Sequence, residues 1–113
     1  MAGSIKTGTY TGDGAAQNIE LGFIPDYVRV WNETDGDIAW EWFSGMTDGH
    51  ALQQINVVDN ATSGANGMSK ITSNGVSEYD PTDYSAKKGF TIGTALSESA
   101  KVFRYVAQRN GDY

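Results

Sequence analysis

Apolar and polar residues alternate along most of the chain, and long runs with helical spacing are missing. Side chains point alternately to the two faces of a strand, so this alternation predicts β-strands separated by glycine-containing turns. The runs that carry the pattern span residues 5–11, 16–21, 27–34, 37–43, 51–58, 68–73, 76–79, 90–92 and 101–109. We therefore predict a single all-β domain over residues 1–113, a β-sandwich or jelly roll of about eight short antiparallel strands.

The most apolar stretch, residues 27–44, contains all three tryptophans and has Asp35-Gly36 near its middle. Asp-Gly is typical of a two-residue hairpin turn, because both central residues of that turn need a positive φ. A two-residue turn pairs Trp31 with Trp40 and Arg29 with Trp42. One predicted face then holds Arg29, Trp31, Ile38, Trp40 and Trp42, and the other holds Val28, Val30, Asn32, Ala39, Glu41 and Phe43. Both faces are apolar, so the hairpin lies inside a two-layer structure or another chain covers one face.

Turn and end signals complete the prediction. Asn74-Gly75 predicts a second hairpin, and Pro25 predicts a corner rather than a strand because it lacks an amide hydrogen. Residues 59–67 are small and polar and predict an exposed loop. We expect a flexible N-terminal arm at about 1–6 and a frayed tail at about 110–113.

Charge and composition limit the partners. The formal net charge of −6 argues against nucleic acid, since phosphate contacts need clustered lysine and arginine. No apolar run approaches the length of a membrane span, and the first residues lack the apolar segment of a signal peptide, so we expect synthesis in the cytoplasm and no membrane partner. The chain has no cysteine, which excludes thiolate metal sites and disulfides.

No set of residues predicts catalysis. His50 is the single histidine and has no second ligand at metal-binding spacing, which predicts an ordinary loop histidine. Glu41 lies between Trp40 and Trp42, where a sugar could stack, but a short-looped domain of this size seldom builds the cleft that a glycosidase needs. Asp35-Gly36-Asp37 does not meet the calcium-loop pattern. We predict no catalytic residue, no cofactor, no metal and no enzymatic activity.

The tryptophan-rich face has two interpretations. Its large side chains form the core, or part of the face binds another protein, where tryptophan, tyrosine and arginine are enriched. The candidate interface residues are Ile5, Arg29, Trp31, Trp40 and Trp42.

Three segments carry a resemblance to a known family. Tyr10-Thr-Gly-Asp-Gly14 leads into Ile19-Glu-Leu-Gly-Phe-Ile-Pro-Asp-Tyr-Val-Arg-Val30, and Gly89-Phe-Thr-Ile-Gly-Thr94 precedes Phe103-Arg-Tyr-Val-Ala107. Their order resembles small virion proteins of tailed bacteriophages, including head decoration (cement) proteins and β-rich domains of tail appendages. The middle of the chain, residues 45–80, has no counterpart in the resemblance.

The resemblance implies a short acidic β-sandwich or jelly-roll protein on the capsid surface of the virion. Such decoration proteins often trimerise and clamp neighbouring subunits of the major capsid protein. The expected function is therefore structural, to stabilise a phage capsid by bridging its subunits. The alternative is a tail-appendage module that binds a receptor or a glycan, and a small hydrolase is a third class that depends on Glu41 alone.

Overall fold

The computed structural model describes residues 4–55, 67–82 and 87–110. Eight strands and one short 3₁₀ helix account for most of them, which confirms the all-β prediction: β1 (Ser4–Thr11), β2 (Gln17–Glu20), β3 (Tyr27–Asn32), β4 (Ile38–Phe43), β5 (His50–Ile55), β6 (Gly67–Tyr79), β7 (Gly89–Ile92), the 3₁₀ helix (Thr94–Leu96) and β8 (Val102–Arg109). In these parts of the chain, no helix is long and apolar enough to cross a membrane. The loop predicted over 59–67 lies outside the described residues except for Gly67, which begins β6.

All neighbouring strands are antiparallel, in the order β1-β8-β3-β4-β5-β6-β7-β2. The long strand β6 belongs to two parts of this curled sheet, because residues 67–71 pair with β5 and residues 76–79 pair with β7. We call β1-β8-β3-β4-β5 with the first part of β6 the large layer, and the second part of β6 with β7 and β2 the small layer. The arrangement is sandwich-like.

The core lies between the inner faces of the two layers. Phe90 on β7 meets Tyr105 on β8 edge to face, with ring centroids 5.4 Å apart. Tyr10 stacks on Phe103 with ring centroids 5.2 Å apart, and its hydroxyl donates to the carbonyl oxygen of Leu96 at 2.7 Å. Burying each large apolar side chain contributes about 1.5–3 kcal/mol before the loss of conformational entropy is counted. The largest fully buried apolar side chains are Trp42, Phe90, Phe103, Ile92, Leu96, Val28, Val30 and Val76.

The predicted hairpin exists, but its predicted two-residue turn and register are wrong. Residues 33–37 connect β3 to β4, and Val30 pairs with Trp40 while Trp31 pairs with Ala39. The Asn32 side chain accepts a hydrogen bond from the Asp35 amide at 3.0 Å, and the Gly36 amide donates to the Asn32 carbonyl at 2.8 Å. The longer turn needs a positive φ at Gly36 (70°) alone.

This change of register by one residue redistributes the faces, as the period of two requires. Trp40 and Trp42 join Val28 and Val30 on the inner face. The predicted faces are therefore wrong for several residues, because Arg29 and Trp31 do not share a face with Trp40 and Trp42. They lie on the outer face, together with Tyr27, Ala39, Glu41 and Phe43.

The second predicted hairpin is also wrong, because β6 continues through Asn74-Gly75. Asn74 has a positive φ of 61°, and the pairing of β6 with its neighbours shifts between His50 and Ala51. The Gly75 amide donates to the Gly49 carbonyl at 2.9 Å. Asn-Gly therefore produces an irregularity that passes the strand from the large layer to the small layer instead of reversing it.

The N-terminal arm predicted over 1–6 is wrong for Ser4, Ile5 and Lys6, which form the start of β1 and pair with Arg109, Gln108 and Ala107. At the other end, the Asn110 amide donates to Asp26 Oδ2 at 2.8 Å. The remaining residues of the predicted arm and tail, 1–3 and 111–113, lie outside the described residues.

Candidate functional site

The outer face of the large layer carries the candidate site. Residues that pair directly across antiparallel strands point to the same side, so the registers define rows on this face. One row crosses four strands through Ile5, Gln108, Tyr27 and Phe43. A second row crosses six strands through Thr9, Arg104, Trp31, Ala39, Gln54 and Met68.

Every large hydrophobic side chain that is exposed in the described part of the chain lies in one of these two rows. The exposed fractions are 68% for Ile5, 69% for Met68, 46% for Phe43 and 37% for Trp31. The other set of alternating positions on β3, β4 and β8 carries the buried core residues, among them Val28, Trp42 and Phe103. The exposed apolar groups are therefore concentrated on one side of the molecule.

Between these rows, polar contacts hold the aromatic side chains in place. Arg29 Nη1 lies 3.1 Å from Glu41 Oε2, and the Tyr27 hydroxyl donates to the same oxygen at 2.7 Å. The Arg29 guanidinium lies 5.0 Å from the centre of the Trp31 ring, in cation–π range. The Tyr27 and Phe43 rings are 5.0 Å apart. These contacts fix the shape of the face before any partner binds.

The same contacts shift two pKa values. The hydrogen bond from Tyr27, followed by the contact with Arg29, holds the pKa of Glu41 below its usual value. Partial burial and the hydrogen bond to Glu41 raise the pKa of the Tyr27 hydroxyl. At neutral pH the Glu41 carboxylate is therefore ionised and accepts from both neighbours.

A groove of about 450 Å³ opens on this face where the β3–β4 hairpin turns. Ion pairs surround it: Arg104 contacts Glu33, and Lys101 Nζ lies 3.1 Å from Asp35 Oδ1. Its wall consists of Arg29, Trp31, Asn32, Glu33, Gly36, Asp37, Ile38, Ala39, Gln54 and Arg104.

Asp37 is the unusual member of this wall. Its Oδ1 atom is shielded from solvent and has no hydrogen-bond partner within the described ranges.

The groove wall combines an indole ring, aliphatic groups and several polar side chains. This mixture suits a ligand that has both apolar and polar parts.

The structure brings only some of the predicted interface residues together. Ile5, Arg29 and Trp31 lie on the outer face, whereas Trp40 and Trp42 are core residues and are not available on the surface. Trp40 Nε1 donates to Gln53 Oε1 at 3.0 Å, and Trp42 Nε1 is buried without a hydrogen-bond partner in the part of the chain that the structure describes. The pairing register of β3 with β4 decides that Trp31 lies on the outer face while Trp40 and Trp42 are buried.

The strand geometry also decides two further sequence-based interpretations. Glu41 alternates with Trp40 and Trp42 along β4, so its carboxylate lies on the face opposite the two indoles, as in the predicted register, and the sugar-stacking motive for a hydrolase is lost. His50 begins β5 and is half-buried instead of lying in an exposed loop.

Sequence reasoning missed Tyr27, Phe43, Met68 and Asp37 as site residues. The alternation of β3 and β4 contained the signal for the first two, but only the observed register assigns them to the outer face. Comparisons with protein-family models, with curated proteins and with solved structures found no match to this chain.

Proposed function

We propose that this chain is a structural protein of a tailed-phage virion, which decorates the capsid and docks on the major capsid protein through the outer face of the large layer. The observation that carries the docking part is that, among the described residues, the four exposed large hydrophobic side chains all lie on that face. The virion and the capsid come from the resemblance of the sequence. The chain would act by binding and would need no catalytic group.

The composition of the face supports protein binding. Single exposed apolar residues are normal, but a grouped set on one side of a small domain marks an interaction surface. Tyr27, Arg29 and Trp31 belong to the residue types that carry most binding energy at interfaces. Because Glu41 already positions Tyr27 and Arg29, docking would freeze few additional rotamers, and the entropic cost of binding is reduced.

A decoration protein stabilises a shell by mass action, since it binds the assembled lattice and not the separate subunits. Each copy needs to contribute only a few kcal/mol because a shell carries many copies. We therefore expect occupied shells to release DNA at a higher temperature than shells that lack the protein. Full occupancy without any change in that temperature would contradict the cement function.

Copy number separates a shell protein from a tail protein. Quantitative mass spectrometry of purified particles should find on the order of hundreds of copies for a shell lattice, consistent with a role in which many weak contributions add. A few tens of copies or fewer would contradict shell decoration and favour a tail location.

Point substitutions test the docking face directly. Trp31→Ala and Ile5→Ser should each lower occupancy on expanded shells, because they remove exposed apolar groups without opening the core. Glu78→Ala, an exposed substitution in the small layer, is the matched control. Ile5→Ser is more specific than deletion of residues 2–6, which would also remove strand pairing at Ser4–Lys6. Wild-type occupancy by both variants would exclude this face as the contact.

One observation favours the alternative of a tail module that binds a glycan. Trp31 is exposed at a groove whose wall also contains Asn32, Asp37 and Gln54, and sugars combine an apolar ring face with hydroxyl groups. Under this alternative, a glycan array should retain the wild-type protein and release Trp31→Ala. Retention of neither protein on sugars, together with occupancy of shells, would contradict it.

A further inference from the structure

We propose that the groove at the end of the β3–β4 hairpin receives a basic side chain, foremost an arginine, from the protein surface on which this chain docks. The identity of that surface rests on the proposed function, whereas the chemistry of the groove comes from its own residues. The proposal assigns Asp37 as the carboxylate that recognises the incoming cation.

Among the charged side chains that form the groove wall, only Asp37 lacks an ion pair with another described residue. Arg29 lies 3.1 Å from Glu41, Arg104 contacts Glu33, and Lys101 lies 3.1 Å from Asp35. Asp37 has no ion pair of this kind within residues 4–55, 67–82 and 87–110. Lys101 feels a weaker, longer-range attraction from Asp37, but its ammonium group contacts Asp35. One negative charge at the groove is therefore left for a partner to neutralise.

The local environment of Asp37 makes this charge a strong binding determinant. Its Oδ1 atom is removed from water and receives no hydrogen bond from the described residues. An unsatisfied carboxylate oxygen costs stability in the free protein, and a cation that pairs with the Asp37 carboxylate from the groove offsets part of that cost through its charge. A guanidinium offers five N–H donors in a planar arrangement and forms charge-assisted hydrogen bonds, so it suits this position better than a neutral donor does.

The walls of the groove fit the remainder of such a side chain. Trp31, Ile38 and Ala39 provide apolar surface, on which the methylene groups of arginine or lysine pack while the charged end reaches a carboxylate. The groove volume of about 450 Å³ is ample for one long side chain.

The basic residues in the wall do not reject a cation, because Glu41 neutralises Arg29 and Glu33 neutralises Arg104. An anionic ligand would instead meet the unpaired Asp37. The formal net charge of −6 also attracts basic surfaces from a distance. Charge complementarity therefore points to a basic side chain of a protein partner.

The first test needs no partner protein. Amide and indole resonances of the full chain are followed by NMR during titration with N-acetyl-arginine amide and with N-acetyl-citrulline amide, which has a similar shape and no charge. We expect the arginine probe to shift Trp31 and Gly36–Ile38 at concentrations at least about tenfold lower than the citrulline probe, because a charged hydrogen bond is about twice as strong as a neutral one. Equal responses to the two probes would overturn the proposal.

The second test uses the variant Asp37→Asn, which keeps the shape of the side chain and removes its charge. Glu20→Gln removes one charge from an exposed position in the small layer and serves as the control. Asp37→Asn should abolish the preference for arginine over citrulline, and Glu20→Gln should keep it. A preserved preference in Asp37→Asn would overturn the proposal, and the wild-type comparison of the two probes tests it even where a variant folds poorly.

The third test is binding to expanded shells that lack this protein. Asp37→Asn should bind about thirtyfold more weakly than wild type or Glu20→Gln, since truncating one member of an interface charge pair typically has at least this effect. Binding of wild type and Asp37→Asn with equal affinity would overturn the groove proposal and leave the proposed function in place. Absence of wild-type binding would contradict the proposed function, and the arginine titration would then still decide the chemistry of the groove.

Discussion

At the scale of single residues, Glu41 shows how spatial neighbours replace sequence neighbours. Two tryptophans flank it in the sequence, but its carboxylate contacts Tyr27 and Arg29 on the outer face. Both partners favour the ionised form of the Glu41 carboxylate, so the free energy of unfolding depends on whether that carboxylate is ionised.

The pKa of Glu41 predicts how its contribution depends on pH. Because the pKa of Glu41 is lower in the folded chain than its ordinary value of 4.5, the stabilisation is fully present above about pH 4.5 and is lost as the pH falls through the folded pKa. The free energy of unfolding should therefore differ between wild type and Glu41→Gln by a constant amount from pH 5 to pH 8, under about 1 kcal/mol for a partly exposed pair. Below pH 4.5 the difference should shrink.

Chemical denaturation at a series of pH values measures this difference, with Glu20→Gln as the control for loss of an exposed carboxylate. A difference that grows on acidification would contradict the prediction.

The contribution of Tyr27 depends on pH at the alkaline end of the pH scale. Its raised pKa means that its contribution is complete below about pH 10 and is lost only as the pH rises further.

The two inner-face tryptophans predict unequal costs of substitution. Trp40→Phe and Trp42→Phe both remove buried volume, so both should destabilise the fold. Trp40→Phe also leaves Gln53 without its donor, whereas Trp42→Phe removes an indole N–H that has no partner in the described residues. We expect Trp40→Phe to cost about 1 kcal/mol more, measured by urea unfolding. A larger cost for Trp42→Phe would contradict this account.

At the scale of secondary-structure elements, β6 joins the two layers. Its bend at Asn74-Gly75 brings the backbone against the turn between β4 and β5. The Gly75 amide donates to Gly49 at 2.9 Å, and the Gly75 carbonyl accepts from the Gly93 amide at 2.7 Å. Three segments of backbone therefore meet at one glycine, which leaves no room for a side chain.

Gly75→Ala should accordingly destabilise the fold. An added Cβ atom would lie 2.7 Å from the carbonyl oxygens of Gly49 and His50, and backbone atoms cannot move aside as a flexible side chain does. We expect a loss of about 1–3 kcal/mol in the free energy of unfolding. Gly45→Ala is the matched control, because its Cβ atom would meet nothing within 4 Å and its cost should stay within about 0.5 kcal/mol. Equal effects of the two substitutions would contradict the close approach.

At the scale of the whole molecule, the curled sheet buries one face of the large layer against the small layer and leaves the other face uncovered. On this uncovered face, Ile5, Tyr27 and Phe43 lie in one row that crosses four strands and exposes apolar surface. A chain of 113 residues supports one modest core, so this second apolar surface is available for association.

We therefore expect self-association, with a trimer as the state that the sequence resemblance implies. Sedimentation at micromolar concentration should show a species of three chains, and Phe43→Ser should shift it toward the monomer by removing an exposed ring from the row. Glu78→Ala in the small layer is the control. Monomer alone, both for free protein and for protein released from particles, would contradict self-association.

The sequence by itself determined the fold class, the approximate position of most strands and the two faces of β8. Alternation is a local property, and it groups Phe103, Tyr105 and Ala107 on one face of β8 without any knowledge of its neighbours. The structure then shows that this face is the buried one. The sequence also located the turn at Gly36, since a positive φ favours glycine in either turn type.

Only the tertiary structure decided the register, the path of β6 and the groove. A dipeptide signal such as Asp35-Gly36 does not contain the free energy gained when Trp40 and Trp42 are buried together with Val28 and Val30, and that gain depends on strands distant in sequence. Asn74-Gly75 likewise permits a reversal or an irregularity, and the pairing of β6 with both β5 and β7 selects the latter. Asp37 became a candidate recognition residue because tertiary contacts pair the other charged side chains of the groove wall, Arg29 with Glu41 and Arg104 with Glu33.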